Sequence, residues 1–403
     1  MPGSLYLSAG EPSGETHLAL AATHLRRLRP DLRLSGMGGD PLRAAGVETV
    51  ADADAAVTGF VEVIAHLGTI RRLFRTCLEH IRTTRPDVVV LTDYGGFHLR
   101  LAKALRRLRP APRVLYYIPP KFWAWNHRRV RTLRRTVDEA LCILPFEPDL
   151  LAAEGVPARF VGNPLLDELD LDEDGAALRR ELGLEAGTPL VGLFPGSRRG
   201  EVQRILPALL DATDRMRAAR PKLAAAVAAA PHLSDADLAA LAGRPLGEIP
   251  VVRGRAHEVM AAADLLLAKS GTTTLEAALY GTPMLGLYRT APLTHAIARR
   301  LLRTEHFTLP NLLLHDFAPP GRTPTAPGPE FLQDAANGPA LATAGLALLD
   351  DAGRRAAIRA ELLSLRTLLG ERGVGERTAR ALLDHLPASS PTADGAPPVD
   401  TAS

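Results

Sequence analysis

The 403-residue sequence is poor in cysteine, in aromatic residues and in long hydrophobic runs. Its two cysteines, Cys77 and Cys142, are too few for a disulfide framework and too far apart for a C-x-x-C metal site. Aromatic residues make up 4%, which disfavours an aromatic-rich all-β protein. Every apolar run is far shorter than the roughly 18 residues that a membrane-spanning helix needs, and no basic and apolar leader precedes residue 5. These absences predict a cytoplasmic protein that neither spans a membrane nor is exported.

Charge is nearly balanced overall but unevenly distributed. The chain has a formal net charge of +3, yet residues 1–165 hold 23 Lys and Arg against 16 Asp and Glu. A basic half fits a nucleic acid, an anionic membrane surface or a phosphorylated substrate. Because the basic residues are not interleaved with aromatic residues as in nucleic-acid modules, we expect no nucleic-acid partner.

Short apolar segments alternate with helical stretches along most of the chain. This alternation predicts an α/β fold with two doubly wound, Rossmann-like parallel sheets, and the chain length suits two domains. The predicted strands are residues 5–8, 88–92, 114–118 and 140–144, then 190–194, 224–228, 251–252 and 265–267. The predicted boundaries are 1–165, 166–345, C-terminal helices at 346–386 and a disordered tail at 387–403. The carboxyl ends of the two sheets are expected to face a shared ligand cleft.

One distinctive loop, Ser270-Gly271-Thr272-Thr273, follows a predicted strand and opens a helix that contains Glu276. In one interpretation the helix N-terminus binds a diphosphate and the carboxylate accepts hydrogen bonds from ribose hydroxyls. In the other, the loop is an ordinary helix start in which Glu276 completes a capping box.

A second loop, Pro-Gly-Ser-Arg at residues 195–198, lies at another strand end of the same predicted sheet. The guanidinium of Arg198 would fit phosphate oxygens, although a surface arginine without a ligand is the ordinary alternative. Two phosphate-compatible loops at one sheet edge favour a nucleotide diphosphate as ligand.

In the basic half, Asp93 follows a predicted strand directly and precedes two glycines. It is a candidate general base, with a helix N-cap as the alternative. The first β–α loop, residues 10–14, is a candidate phosphate or sugar loop. No G-x-G-x-x-G pattern supports a dinucleotide, and no spacing indicates a metal site, so we expect neither an organic cofactor nor a metal.

Residues 60–85 carry apolar positions at helical spacing, with arginines between them. The ordinary interpretation is an amphipathic helix that faces the core. A second interpretation is that part of the apolar stripe meets acyl chains or a membrane interface, while the arginines meet anionic headgroups.

Eight short motifs, in this order, resemble those of lipid-A-disaccharide synthases between about residues 5 and 315. They are Ser-Ala-Gly-Glu-Pro-Ser-Gly (8–14), Gly-Phe-Val-Glu-Val (59–63), Pro-Pro-Lys-Phe-Trp-Ala-Trp (119–125), Leu-Pro-Phe-Glu (144–147), Phe-Val-Gly-Asn-Pro (160–164), Phe-Pro-Gly-Ser-Arg (194–198), Ser-Gly-Thr-Thr-Thr-Leu-Glu (270–276) and Leu-Pro-Asn (309–311).

The resemblance implies the GT-B architecture and an inverting transfer of diacylated glucosamine from UDP to a diacylglucosamine 1-phosphate, which gives the β-1,6-linked lipid A disaccharide. It also implies that Asp93 and Arg198 are the catalytic residues. The site for the UDP-sugar would comprise Arg198, Ser270, Gly271, Thr272, Thr273, Glu276 and Asn311. The acceptor site would comprise Gly10, Glu11, Ser13, Gly14, Glu62 and Trp123, although Trp123 could instead belong to a group of core aromatic residues.

Three departures from the family pattern lie in the first domain. This chain has Glu15 where the family usually has aspartate after Ser-Gly, Gly96 in place of a second aspartate, and Pro-Pro-Lys-Phe where the family has Ser-Pro-Ser-Val. Alternative functions are therefore a transferase with another lipid or sugar acceptor, a UDP-sugar 2-epimerase, or a non-catalytic binding protein. The expected location is cytoplasmic, with peripheral association with the inner membrane.

Overall fold

The computed structural model describes residues 3–52, 67–124, 127–290 and 304–387. Two parallel β-sheets with helices packed around them make up this part of the chain, which confirms the predicted α/β class. Apart from Pro387, the predicted tail lies outside the described residues.

The first sheet has seven strands, all parallel, in the order β3-β2-β1-β4-β5-β6-β7. The strands are β1 (Ser4–Ala9), β2 (Arg33–Met37), β3 (Glu48–Ala51), β4 (Val88–Thr92), β5 (Arg113–Tyr117), β6 (Glu139–Cys142) and β7 (Ala158–Phe160). The helices of this half are α1 (Pro12–Leu28), α2 (Asp40–Ala44), α3 (Leu67–Thr84), α4 (Gly95–Leu105), α5 (Arg128–Thr136), α6 (Glu147–Ala153) and α7 (Leu165–Glu168).

The second sheet has six parallel strands in the order β10-β9-β8-β11-β12-β13. They are β8 (Leu190–Phe194), β9 (Ala224–Ala229), β10 (Val251–Arg253), β11 (Leu265–Lys269), β12 (Met284–Tyr288) and β13 (Glu330–Leu332). The helices of this half are α8 (Ala176–Glu181), α9 (Arg199–Ala219), α10 (Asp235–Ala242), α11 (Ala256–Ala262), α12 (Thr272–Leu279) and the short α13 (Leu309–Asn311), which a π-helical turn (Leu312–Asp316) follows.

Both central strands are apolar because helices cover both faces of each sheet. Every residue of β4 and of β8 is buried, as expected for the middle of a parallel sheet. The strand order reverses between β1 and β4 in the first sheet and between β8 and β11 in the second. The loops that follow these four strands therefore open at the switch point, where sheets of this kind bind ligands.

The last helices bring the chain back to the first sheet. They are α14 (Gly338–Asp350), α15 (Ala352–Leu363), α16 (Leu365–Leu368) and α17 (Val374–Leu383). Helix α17 packs against α1, and the carboxylate of Asp167 accepts hydrogen bonds from the backbone N–H groups of Gly373 (2.6 Å) and Gly375 (3.0 Å). The C-terminal segment thus joins the two halves of the protein.

Helix α3 covers most of the amphipathic stretch; residues 60–66 lie outside the described residues. Its buried side chains, Leu73, Cys77 and Ile81, belong to the core, as the ordinary interpretation predicts. Arg71, Arg72 and Arg75 are exposed. In the described part of the chain, no helix combines the length and the hydropathy needed to cross a membrane.

Candidate active site

A cleft of about 1530 Å³ lies between the two sheets at the carboxyl ends of their strands. Loops of the first half line one wall and loops of the second half line the other. The lining includes eight residues that the sequence predicts as site residues: Gly10, Glu11, Ser13, Asp93, Arg198, Gly271, Thr272 and Thr273. The structure therefore brings together loops as distant in the chain as those of Gly10 and Thr273.

The first β–α loop is shaped by a close contact with the loop after β4. A Cβ atom at Gly10 would lie 2.3 Å from a ring carbon of Tyr94, so only glycine fits there. At Gly14, a Cβ atom would lie 3.2 Å from the Cβ of Asp93. Gly14 itself is buried and lets α1 approach Asp93; it does not line the cleft.

The backbone at Asp93 is held in the left-handed region, with φ of +53° followed by +42° at Tyr94. Non-glycine residues rarely adopt this conformation, which needs support from surrounding contacts. The main-chain oxygen of Asp93 accepts hydrogen bonds from the Tyr116 hydroxyl (2.6 Å) and from His98 Nδ1 (3.0 Å). Its carboxylate accepts one from the N–H of Tyr94 (3.0 Å). These contacts fix the direction of the carboxylate.

His98 connects this strained turn to β1. The carbonyl oxygen of Asp93 can only accept, so Nδ1 of His98 carries the proton and Nε2 accepts from the Ser8 hydroxyl at 2.9 Å. Burial lowers the pKa of His98 to about 4, which keeps the ring neutral at physiological pH. His98 is therefore a support for Asp93 rather than a titrating group.

Carboxylates and cations of both halves share the cleft. Burial, followed by the charge of Asp93, raises the pKa of Glu11 to about 7. The cations of Arg198, Lys121 and Lys269 act in the opposite direction. Burial also raises the pKa of Asp93, and Lys121 is the strongest opposing influence. A carboxylate with a raised pKa is suited to accept a proton from a sugar hydroxyl.

On the opposite wall, Arg198 stands at the N-terminal cap of α9 and its side chain is about half exposed. Glu201 organises this wall, since it lies 3.6 Å from Arg198 and 2.9 Å from the ammonium of Lys269. A Cβ atom at Gly196 would lie 2.6 Å from the Glu201 carboxylate, so the Pro-Gly-Ser-Arg loop needs its glycine. Two cations at adjacent strand ends give this wall the character of a phosphate site.

The loop after β11 contributes Gly271, Thr272 and Thr273 to the cleft at the start of α12. Among the residues that the structure describes, no side chain caps this helix. The capping-box alternative for Glu276 is therefore wrong; its carboxylate instead lies 3.5 Å from Nε2 of His257. A helix start without a side-chain cap can bind an anion.

Several predicted site residues do not line the cleft. Ser270 is buried and its hydroxyl donates to the main-chain oxygen of Phe307 (3.0 Å). Asn311 is buried and donates to the Gly328 oxygen (2.7 Å) and to Glu330 (2.9 Å). Both residues support the loops behind the wall. Glu62 lies outside the described residues.

Trp123 is also buried, in a group of aromatic residues that joins the two halves. Its Nε1 donates to Glu147 (3.1 Å), and its ring meets Phe146 and Phe317 edge-on. Phe146 of the first half stacks on Phe317 of the second at 3.9 Å. Trp123 thus follows the core-aromatic alternative and does not form the acceptor wall.

Sequence reasoning missed Lys121, Lys269 and Glu147 in the cleft. Glu147 is buried, and burial raises its pKa to about 7 despite the opposing hydrogen bond from Trp123. Lys121 and Glu147 stand in two of the quoted motifs, Pro-Pro-Lys-Phe-Trp and Leu-Pro-Phe-Glu, which could have pointed to them.

Two parallel sheets that face a cleft, with a cationic wall at one switch point and a supported carboxylate at the other, make up the GT-B architecture. Solved structures share this fold: S. aureus MnaA with UDP (TM-score 0.60, 14% identity, 93% of this chain and 94% of that chain) and a putative UDP-N-acetylglucosamine 2-epimerase from Listeria monocytogenes (0.59, 15%, 96% and 97%). At these identities the likeness concerns the fold alone.

The particular family follows from sequence similarity. The family model for lipid-A-disaccharide synthetase matches residues 5–376. The lipid-A-disaccharide synthase of Geobacter sulfurreducens is 37% identical over 383 residues, which cover 95% of this chain and 97% of that protein. This chain belongs to the lipid-A-disaccharide synthase family.

Proposed function

We propose that this enzyme transfers a diacylated glucosamine from UDP to a diacylglucosamine 1-phosphate, with inversion, to form the β-1,6-linked lipid A disaccharide and UDP. The observation that carries the proposal is that Asp93 and Arg198 line opposite walls of one cleft in a chain of this family. UDP in a protein of the same fold supports the choice of nucleotide.

In the proposed reaction, Asp93 removes the proton from the acceptor hydroxyl as its oxygen attacks the anomeric carbon. The new C–O bond forms while the bond from that carbon to the diphosphate breaks, and the electron pair leaves with UDP. Arg198 and Lys269 stabilise the charge that grows on the diphosphate. Because this displacement is a single step, it inverts the configuration.

On the wall of the second half, backbone N–H groups at Gly271, Thr272 and Thr273 are the proposed diphosphate ligands. Glu276 is the proposed partner of the ribose hydroxyls. We assign Ser270 and Asn311 a supporting role behind this wall, since their polar atoms contact protein groups.

On the first wall, Gly10, Glu11 and Ser13 are the proposed contacts of the acceptor sugar. An apolar pocket of about 400 Å³ adjoins them and shares Tyr94 and Gly96 with the cleft. Its other lining residues are Ile70, Arg71, Phe74, Arg75, Phe97 and Arg100. An apolar floor with arginines is suited to an acyl chain beside an anionic group, so we assign one acceptor acyl chain to this pocket.

The proposed location is cytoplasmic, with reversible binding to the inner membrane through α3. Arg71, Arg72 and Arg75 are exposed there, and each arginine near an anionic surface contributes about 1 kcal/mol to membrane binding.

Vesicle binding should therefore need anionic lipid, and it should fall with added salt and after substitution of the three arginines by glutamine. A matched control replaces Arg354, Arg359 and Arg372, exposed on the C-terminal segment, by glutamine. Equal binding to neutral vesicles, or equal loss in both triple variants, would reject this role of α3.

The product distinguishes the proposed reaction from its alternatives. Purified protein is incubated with UDP-diacylglucosamine alone, with diacylglucosamine 1-phosphate added, or with non-acylated glucosamine 1-phosphate, and products are identified by mass spectrometry and NMR. The proposal predicts UDP and a tetra-acylated β-linked disaccharide only with the acylated acceptor. A 2-epimer of the UDP-sugar would instead indicate an epimerase, and no product in any mixture would indicate a binding protein.

A further inference from the structure

A group of three potential metal ligands lies in the second half, outside the lining of the cleft. Glu305, His306 and His315 each offer a ligand atom, and these atoms all lie within 4.8 Å of one another. None of the three lines the cleft. The residues come together because the chain turns through α13 and the following π-helical turn, so their spacing in the sequence gives no signal.

A buried carboxylate holds both imidazole rings. Oδ1 of Asp316 lies 2.6 Å from Nδ1 of His306 and 3.3 Å from Nδ1 of His315. Oδ2 accepts hydrogen bonds from the backbone N–H groups of Glu305 (2.7 Å) and His306 (3.1 Å). The Asp316 side chain is only 8% exposed, so these contacts fix it within the fold.

The hydrogen bonds determine the state of the two rings. A carboxylate can only accept, so in the neutral rings each Nδ1 carries a proton and each Nε2 carries the lone pair that can bind a metal. The ring centroids are 4.5 Å apart. Histidines that bind metals commonly donate their second ring nitrogen to a carboxylate in this way. The alternative is a hydrogen-bonded network whose purpose is only to hold the turn.

We propose that Glu305, His306 and His315 bind one divalent transition metal ion of the zinc class, with Asp316 as the residue that orients the two histidines. Two imidazoles and one carboxylate favour Zn²⁺, Co²⁺ or Ni²⁺ over Mg²⁺ and Ca²⁺, which prefer oxygen ligands. Water would complete the coordination.

The expected role of the ion is structural. The next residue, Phe307, accepts the hydrogen bond of Ser270, and the N–H groups of Phe307 and Thr308 both donate to Glu330 at 2.9 Å. A metal at residues 305 and 306 would therefore stabilise the segment that supports the loop after β11. This inference does not depend on which sugar the enzyme transfers.

The test is metal binding by the full-length, chelator-treated protein. Isothermal titration with ZnCl₂ should give one saturable site, and MgCl₂ should give none. His306→Gln and His315→Gln each remove a ligand, and Asp316→Asn should weaken Zn²⁺ binding by about 10- to 100-fold through the lost orientation. His127→Gln is the matched control, since His127 also lies beside a carboxylate, 2.9 Å from Glu154.

Thermal unfolding is the second measurement. It compares each variant with and without Zn²⁺, so a variant that is less stable to begin with does not change the conclusion. Zn²⁺ should raise the Tm of the wild type and of His127→Gln, and it should leave the Tm of His306→Gln and of the exposed-ligand variant Glu305→Gln nearly unchanged. The proposal is overturned if the wild type binds no Zn²⁺, or if the ligand variants bind it as tightly as the wild type.

Discussion

The hydroxyl of Tyr116, on β5, lies 2.6 Å from the main-chain oxygen of Asp93, which directly follows the neighbouring strand β4. This contact acts on the backbone of the proposed base and not on its carboxylate. Together with His98, it supports a left-handed turn that runs through Asp93 and Tyr94. The direction of the carboxylate thus depends on two buried side chains below the cleft.

Tyr116→Phe should lower kcat by roughly tenfold, since a base displaced from its position loses about 1.4 kcal/mol of transition-state stabilisation. The KM for UDP-sugar should stay unchanged, and the free energy of unfolding should fall by about 1 kcal/mol. Steady-state kinetics and chemical unfolding measure these changes. Tyr6→Phe, on β1, is the control, because Tyr6 is equally buried and takes no part in the Asp93 contacts. An equal loss of kcat in both variants would remove the positioning role.

Arg198→Ala should lower kcat/KM by about 10²- to 10³-fold, because its guanidinium is proposed to stabilise the leaving diphosphate. Arg198→Lys should recover part of the loss, since lysine keeps the charge but loses the two-pronged hydrogen bonding. The neighbouring Arg199→Ala is the control: its side chain pairs with Asp237 at 2.5 Å. Similar rates for the alanine variants at 198 and 199 would contradict the role of Arg198.

Gly96→Leu should raise the KM for the acylated acceptor by about tenfold. Gly96 lines both the cleft and the apolar pocket, and no described residue has an atom within 4 Å of a Cβ atom placed there, so a leucine side chain would occupy the opening. Kinetics with short-chain and long-chain acceptors measure the effect, which should grow with chain length. Gly353→Leu, on the exposed face of α15, should have none. A KM that rises equally for all acceptors would place the acyl chain elsewhere.

The free energy of unfolding of Glu147→Gln, relative to that of the wild type, should rise with pH. Burial raises the pKa of Glu147 from 4.5 to about 7 in the folded state, so the folded state holds a proton that the unfolded state has released. The wild type therefore loses stability as pH rises through this window. Glutamine removes that loss. The free energy of unfolding of the variant should therefore rise by up to about 3 kcal/mol relative to that of the wild type between about pH 5 and pH 8. Urea unfolding at several pH values checks this, with exposed Glu185→Gln as the control. A pH-independent difference would show that Glu147 is ionised when folded.

The strands at the middle of each sheet were predictable from the sequence because they are buried on both faces. Residues 88–92 and 190–194 are predicted as strands, and the structure has both with those bounds. The edge strands β3 and β13 were not predictable, since Glu48–Ala51 and Glu330–Leu332 are short and no residue in them is fully buried. Their pairing comes from the neighbouring strand and not from their own pattern.

For the site, the sequence indicates residues that follow strands but not those that support them from below. Asp93 and Arg198 were predictable because Asp93 follows an apolar strand directly and Arg198 ends the short loop after another, four residues beyond Phe194. The contacts of His98 and Tyr116 with Asp93 arise when α4 and β5 pack under the loop, which local sequence does not encode. Conversely, Ser270 and Asn311 carry polar groups in characteristic motifs, but those groups bind the protein itself.

The central claim, that Asp93 is the base for the acceptor hydroxyl, is tested most directly by Asp93→Asn. Asparagine tolerates the left-handed backbone at this position, so the variant should fold and lose only the proton acceptor. Turnover should fall by about 10²- to 10⁴-fold, while the Kd for UDP-sugar, measured by titration calorimetry, stays within about twofold of the wild type. A variant that keeps more than about a tenth of the wild-type rate would contradict the claim.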